Sequence, residues 1–355
     1  MEGVAWVVGN SHQAQIPNIV RGRTLDSQVD EGNFVPVTQL EDGAISLAHG
    51  PAKILTGDIF AQSTISVSHA SREREQDRTR PILKIQDGCN NRCSYCVIPF
   101  VRGRSRSLPM DDVIREMSAL ISAGAKEIVL SGINLGGYGR DLAPRASLAE
   151  VVRRILGETK IERLRFSSIE PQDITEEFAA MVASSDRIAP HFHVPLQSGA
   201  DRILRAMHRW YRAAHYAERI KLIRRLLPDA AIGADVIVGF PGETPEDFEA
   251  TAEFIASLPF TYLHVFSFSA RPGTSAERSA SPVPTKVIRE RARALRALGE
   301  KRAASFRASQ AGRTLRALTL ARTGENWTEA LTGNYLKVRV EGYRPANEWC
   351  DAVIG

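Results

Sequence analysis

Three of the four cysteines of this chain, Cys89, Cys93 and Cys96, fall within eight positions, in the stretch QDGCNNRCSYC. Thiolates at C-x3-C-x2-C spacing can reach one common centre from a single loop, and an odd cluster of three points to metal ligation rather than disulfide pairing. A structural zinc site takes four ligands, so here it would need Cys350 or a histidine as the fourth. An iron–sulfur cluster usually takes four thiolates as well. Held by three, it keeps one iron open to another ligand, which is a place for chemistry. Tyr95, Val97 and Ile98 would shield such a centre from water and so tune its potential.

The elements that must position this loop are legible as an alternation. Short β-branched or apolar runs read as strands: ILKIQ, EIVLS, RLRFSS, HFHVPL, IGADVIV and YLHVFSF, from Ile82 onward. Helical patterns lie between them. In PMDDVIREMSALI, Met110, Val113, Ile114, Met117, Leu120 and Ile121 recur at helical spacing and form one stripe. In GETPEDFEATAEFIASL, Thr244 is placed as N-cap with Pro245 at the first helical position and Asp247 in the first turn. Six strands with crossover helices predict an α/β fold with a parallel sheet, curled or closed like a (β/α) barrel. Chemistry in such folds gathers at the C-terminal ends of strands, where the cysteine loop falls.

Composition narrows the function classes. The chain has 355 residues, 43% apolar and 25% charged, which suits a globular protein with a sizeable core. It shows no apolar run of membrane-spanning length and no signal-peptide pattern, so a cytoplasmic protein without membrane contact is expected. The formal net charge of +5 permits a nucleic-acid partner. From Thr285 to Arg316, ten Lys or Arg face only Glu290 and Glu300, a pattern that a solvated helix face also explains.

The cysteine spacing, with an aromatic residue ahead of the third cysteine and a strand before the first, resembles the radical S-adenosylmethionine enzymes, which implies their α/β partial (β/α)6 barrel. That resemblance implies a 4Fe-4S cluster on Cys89, Cys93 and Cys96 that binds S-adenosylmethionine and cleaves it reductively with the help of an electron donor. The segments KIQDGCNNRCSYCVIPFVRGRSRS, EIVLSGINLGGYGRDL, RFSSIEPQDI, HVPLQSGADRILRAMHRWY, DVIVGFPGETPEDF and HVFSFSARPGTSA are similar to one branch, the methylthiotransferases. Within it, LSGINLGGYGRDL is most similar to the enzymes that thiomethylate carbon 2 of threonylcarbamoyladenosine beside the tRNA anticodon. The tail GRTLRALTLARTGENWTEALTGNYLKVRVEG resembles the TRAM domain, a small β-barrel that holds RNA.

Candidate roles follow for single residues. Tyr95, Gly132, Asn134, Ser167, Ser168, Glu170 and Gln197 lie at or near strand ends and are candidate cofactor contacts. Gly239, Pro241 and Gly242 in VGFPGE would offer backbone amides to a nucleotide, or form a plain tight turn. Arg102, Arg104 and Arg106 are candidate phosphate contacts at the barrel mouth. Tyr335, Lys337 and Arg339 alternate along one predicted strand, so an aromatic and two cations would share an RNA-facing side. His191 and His193 are expected to be structural.

The resemblance divides the chain into 1–70, the back half of an N-terminal domain; 75–305, the radical core; and 306–355, the TRAM-like domain. It also exposes a departure. The family carries a second 4Fe-4S cluster on three N-terminal cysteines, and no cysteine precedes Cys89 here. Three accounts fit this: a start assigned too late; a chain that cleaves S-adenosylmethionine but lacks sulfur insertion or uses an external sulfur donor; or a non-enzymatic RNA-binding relic. The ribosomal-protein branch fits less well than the tRNA branch.

Overall fold

The computed structural model describes residues 79–279 and 281–355, together with 6–10, 16, 53–55, 58–61 and 65. Most of the expected N-terminal remnant lies outside the described residues. What is described there is a parallel pair, β1 (Trp6–Val8) and β2 (Lys53–Leu55). Nearby, the Asn10 side chain donates to the Val101 carbonyl at 2.8 Å, so this segment touches the helix that follows the cysteine loop.

All six expected strands form. They are β3 (Ile82–Asp87), then, after a two-residue antiparallel β4 (Arg106–Ser107), β5 (Glu127–Gly132), β6 (Arg163–Phe166), β7 (His191–His193), β8 (Ala231–Val238) and β9 (Tyr262–Ser267). Parallel pairing runs β3-β5-β6 and β7-β8-β9. Single bridges Leu164 to Ile188 and Ser168 to His193 join the two halves. Among the described residues β3 and β9 do not pair, so the barrel is open on one side.

Each strand alternates. Leu83, Ile85, Ile128, Leu130, Leu164, Phe166, Phe192, Ala234, Val236 and Val238 turn outward into one core shared with the helices. The residues between them, among them Gln86, Glu127, Arg165, His193, Asp235 and His264, turn the other way, into the barrel lumen.

The helices are α1 (Ile98–Arg102), α2 (Met110–Ser122), α3 (Leu148–Glu158), α4 (Glu176–Ala183), α5 (Asp201–Ala206), α6 (Ala213–Leu226), α7 (Pro245–Ser257) and α8 (Thr285–Ser309). The α2 stripe is as expected: Val113 and Met117 are buried, and Met110, Ile114, Leu120 and Ile121 pack against the core. At α7 the capping box closes both ways between Thr244 and Asp247, which satisfies two donors that a helix start otherwise leaves orphaned. Among the described residues no helix is long and apolar enough to cross a membrane.

The C-terminal part is a curled antiparallel sheet of β10 (Thr314–Gly324), β11 (Trp327–Thr332), β12 (Lys337–Glu341) and β13 (Trp349–Val353), in the order β12-β11-β10-β13. It closes the barrel at the end where the strands start. Arg163 donates to the carbonyls of Leu331 and Arg316, and Arg165 to those of Gly333 and Thr332. Both also pair with Glu127, which is fully buried.

Candidate active site

Gly88 lets β3 end abruptly. Its φ is 71°, and a Cβ there would collide with the Arg104 carbonyl, so the chain can turn back on itself only without a side chain. Gln86, just before it, is wholly buried. Its side-chain nitrogen lies 3.0 Å from the Asp87 carbonyl, 2.8 Å from that of Gly88 and 2.9 Å from Ser105 Oγ. Its Oε1 accepts from the Asn134 amide at 2.7 Å. One side chain thus ties the start of the cysteine loop to the loop after β5. Gly132 has no side chain where Gln86 approaches it.

The cysteine loop is pinned at several further points. Cys89 N donates to the Gly103 carbonyl at 3.1 Å, and Ser94 N to the Met207 carbonyl at 3.0 Å. Ser94 Oγ donates to the Ala206 carbonyl at 2.8 Å, and the Ser94 carbonyl accepts from Ala276 N at 2.9 Å. Tyr95 packs on the apolar group of Ala200, Ile203, Met207, Phe240 and Ala276 beside the loop. The three thiols are free and half-buried.

Burial pushes the Cys89 and Cys96 thiols above their ordinary pKa, and neighbouring cysteines and Glu170 push the same way. A nucleophilic cysteine needs the opposite, a depressed pKa. Thiols like these give up their protons to a metal. Ligand atoms around a single zinc ion stand about 3–4 Å apart. Among the described residues, the group of three whose ligand atoms all fall within 4.8 Å is His193, Asp235 and His264, not the thiols. Nor is Cys350 a fourth ligand, because it is buried in β13 opposite Ala317 and its thiol faces the Ala317 carbonyl. The donor set fits a larger iron–sulfur centre.

Beside the thiols lies a residue that the sequence reading missed. Arg209 is 4% exposed, donates from Nη1 to Cys93 Sγ at 3.4 Å, pairs through Nη2 with Glu170, and lies 4.9 Å from the Tyr211 ring. Burial alone would lower its pKa, but Tyr211, Glu170, Tyr95 and Cys93 around it raise it, so it stays charged. Glu170 is pushed up by burial, and Arg209 only partly reverses this. The arrangement supplies a fixed positive charge where thiolate and cluster charge would gather.

The other expected contacts divide. Asn134 Oδ1 and Ser167 Oγ are buried with no partner, as groups awaiting a ligand would be. Ser168 Oγ lies 2.6 Å from His193 Nδ1. Gln197 sits at φ 66°, a left-handed conformation enforced by backbone bonds to Asp235 and Ile237 on β8.

Gly239 and Gly242 do not offer free amides. Gly239 N donates to Glu243 Oε2 at 2.8 Å and Gly242 N to the Ser281 carbonyl at 2.7 Å. Arg291 of α8 clamps Glu243 at 2.5 Å, so VGFPGE is a tight turn locked to that helix.

Two more expectations are corrected. Arg106 is 5% exposed and donates to the Arg102 and Arg104 carbonyls, with Asp87 3.7 Å away, so it pins the loop instead of facing phosphate. Arg104 is exposed and Arg102 is half-buried. Tyr335 is not on the strand with Lys337 and Arg339. It sits before β12 in a turn, at φ 66°, and stacks on His191 with ring centres 4.3 Å apart. Lys337 and Arg339 do share a side of β12, where Arg339 covers the Trp327 ring at 4.5 Å. His191 is structural as expected: its Nε2 bonds the Tyr262 hydroxyl at 2.8 Å, and burial holds its pKa well below the usual value.

Residues 83–255 match the radical SAM superfamily. A threonylcarbamoyladenosine tRNA methylthiotransferase of Aquifex aeolicus (strain VF5) is 37% identical over 354 residues, 100% of this chain and 78% of that protein. A protein of the same name from Bacillus subtilis (strain 168) is 41% identical over 273 residues, 75% of this chain and 60% of that protein. The chain therefore spans less than two thirds of the second relative's length. Among solved structures, coproporphyrinogen III oxidase from Escherichia coli, a radical SAM enzyme, overlays with a TM-score of 0.50. At 14% identity, over 74% of this chain and 67% of that one, the likeness is one of fold.

Proposed function

The chain belongs to the radical S-adenosylmethionine tRNA methylthiotransferase family, and from that premise we propose that it methylthiolates carbon 2 of threonylcarbamoyladenosine next to the anticodon of tRNA, in the cytoplasm. The observation that carries this reading is the set of three half-buried thiols at the end of the first barrel strand, in a chain that aligns along its whole length with a relative named for that reaction. A bound 4Fe-4S cluster with S-adenosylmethionine, fed by an electron donor, supplies the radical chemistry.

The chain's own residues do the rest. Cys89, Cys93 and Cys96 hold the cluster. Arg209 keeps its positive charge beside Cys93 and stabilises the thiolate form. Gln86 holds the two loops of the mouth in register. Asn134 Oδ1 and Ser167 Oγ, buried without partners, are the contacts offered to bound S-adenosylmethionine. Arg102 and Arg104 at the mouth, with Lys337 and Arg339 on β12, are the phosphate contacts for an anticodon stem-loop. Of the four cysteines three hold one cluster and Cys350 is buried in β13, so the reading includes an external sulfur donor.

The test is nucleoside mass spectrometry of tRNA carrying threonylcarbamoyladenosine, after anaerobic incubation with reconstituted protein, reductant, S-adenosylmethionine and sulfide. A 2-methylthio product that the Cys93→Ala variant does not form is the expected result. Release of 5′-deoxyadenosine without that product would overturn methylthio transfer by these residues and leave a radical enzyme. Formation of neither would overturn the enzyme reading itself.

A further inference from the structure

Three adjacent strands bring His193, Asp235 and His264 together in the barrel lumen. Asp235 on β8 is in register with His264 on β9, and His193 on β7 is in register with Gly233, two residues before Asp235. Asp235 Oδ1 is 3.1 Å from His193 Nε2 and 3.3 Å from His264 Nδ1. Among the described residues this is the one group of three ligand atoms that all fall within 4.8 Å.

His193 is the telling member. It is 9% exposed, and its Nε2 has no hydrogen bond, because the approach to Asp235 is close but not aligned. Ser168 Oγ takes the other ring nitrogen at 2.6 Å. If Nδ1 donates that bond, the Nε2 lone pair faces the carboxylate oxygen, an arrangement that repels unless a cation lies between them. Metal-bound histidines are oriented in this way, by a bond from the nitrogen that does not bind metal. Ligand atoms about 2.0–2.2 Å from one ion at tetrahedral angles stand roughly 3.3–3.6 Å apart, and the two separations from Asp235 Oδ1, 3.1 and 3.3 Å, lie close to that range. His264 is exposed to the lumen, which leaves a fourth position open.

We propose that His193, Asp235 and His264 bind one divalent first-row transition-metal ion, with an open position that takes water or an oxygen donor from the lumen. Two imidazoles and a carboxylate suit zinc or ferrous iron and give one negative charge against two positive. The site uses none of the cysteines and stands apart from the cluster assignment.

The experiment uses the full chain with Cys89, Cys93 and Cys96 replaced by serine, so that thiols do not compete. Zn²⁺ is counted by equilibrium dialysis with elemental mass spectrometry, and Co²⁺ is followed by its visible absorption. One Zn²⁺ per chain is expected. Asp235→Asn and His264→Ala should each weaken binding by more than about 100-fold, and Ser168→Ala by about 10–100-fold. No stoichiometric Zn²⁺, or stoichiometric binding that survives both ligand replacements, would overturn the proposal. If the serine variant loses its helical circular dichroism, the same titration is run on the cluster-loaded chain, with Asp235→Asn as its control and the same criteria.

Discussion

Where the barrel strands start, Glu127 is surrounded by Arg80, Arg163 and Arg165, and the spare hydrogens of Arg163 and Arg165 reach four carbonyls of the C-terminal part. Where the strands end, Asn134 Oδ1, Ser167 Oγ and His193 Nε2 are buried with no bond, and three thiols stand free. Both ends hold costly polar groups out of water. At the first end the protein itself answers the carboxylate and the guanidinium groups, leaving His191 Nδ1 without a partner, and the charges join the barrel to the C-terminal sheet. At the second end the unpartnered groups are the ones assigned here to ligands. Buried polarity marks a site only where it is left unanswered.

The sharpest break of this comparison is at the open end. Cys93→Ala should abolish cluster iron and all 5′-deoxyadenosine formation, measured by iron assay and chromatography, while the unfolding midpoint of the cluster-free chain moves little. At the closed end the pattern reverses. Glu127→Gln leaves Arg163 and Arg165 buried without their anion, and should cost about 3–5 kcal/mol in denaturant unfolding. Iron bound per folded chain should not change.

A pH series sharpens the contrast, because the two carboxylates have opposite signs. Burial pushes Glu127 up, but Arg165, Arg163 and Arg80 outweigh it and leave its pKa below the ordinary value. Its stabilisation is therefore full above the unfolded pKa of about 4.3 and is lost as pH falls through the lower folded value. Glu170 is raised by burial against the pull of Arg209. Its contribution is full below about 4.3 and is lost as pH rises through the raised folded value. Relative to wild type, Glu127→Gln should flatten the acid limb of the stability curve, and Glu170→Gln should flatten the decline above it. Equal slopes in both variants would break the contrast.

How much of this was legible in the sequence follows from the same geometry. The outward faces of the strands were readable, because apolar runs such as EIVLS and IGADVIV need no partner to be recognised. So were the α7 cap, the α2 stripe and the cysteines, whose signals are local. The lumen faces were not. Arg209 meets Cys93 across 116 residues, and Asp235 meets His264 only through strand register. Buried cations were misread most, since Arg106 and Arg291 look like surface charge until Asp87 and Glu243 are placed beside them. The glycines of VGFPGE serve the turn's own positive φ, the plainer of the two readings the sequence left open.

The smallest expected effect decides to which end Tyr335 belongs. Sequence spacing put it on an RNA-facing strand, whereas the fold stacks it on His191 and sets Arg165 5.3 Å from its ring. Stacked aromatic pairs are worth about 0.5–1.5 kcal/mol beyond area burial. Tyr335→Leu should therefore lower unfolding stability by about that amount, with unchanged affinity for an anticodon stem-loop in filter binding. Arg339→Ala should leave stability nearly alone, weaken that affinity, and reduce the slope of log affinity against log salt by about 0.7–0.9, as expected for one lost phosphate contact. The reverse outcome, affinity lost with Tyr335 and stability lost with Arg339, would return Tyr335 to the RNA and leave the closed end held by its arginines alone.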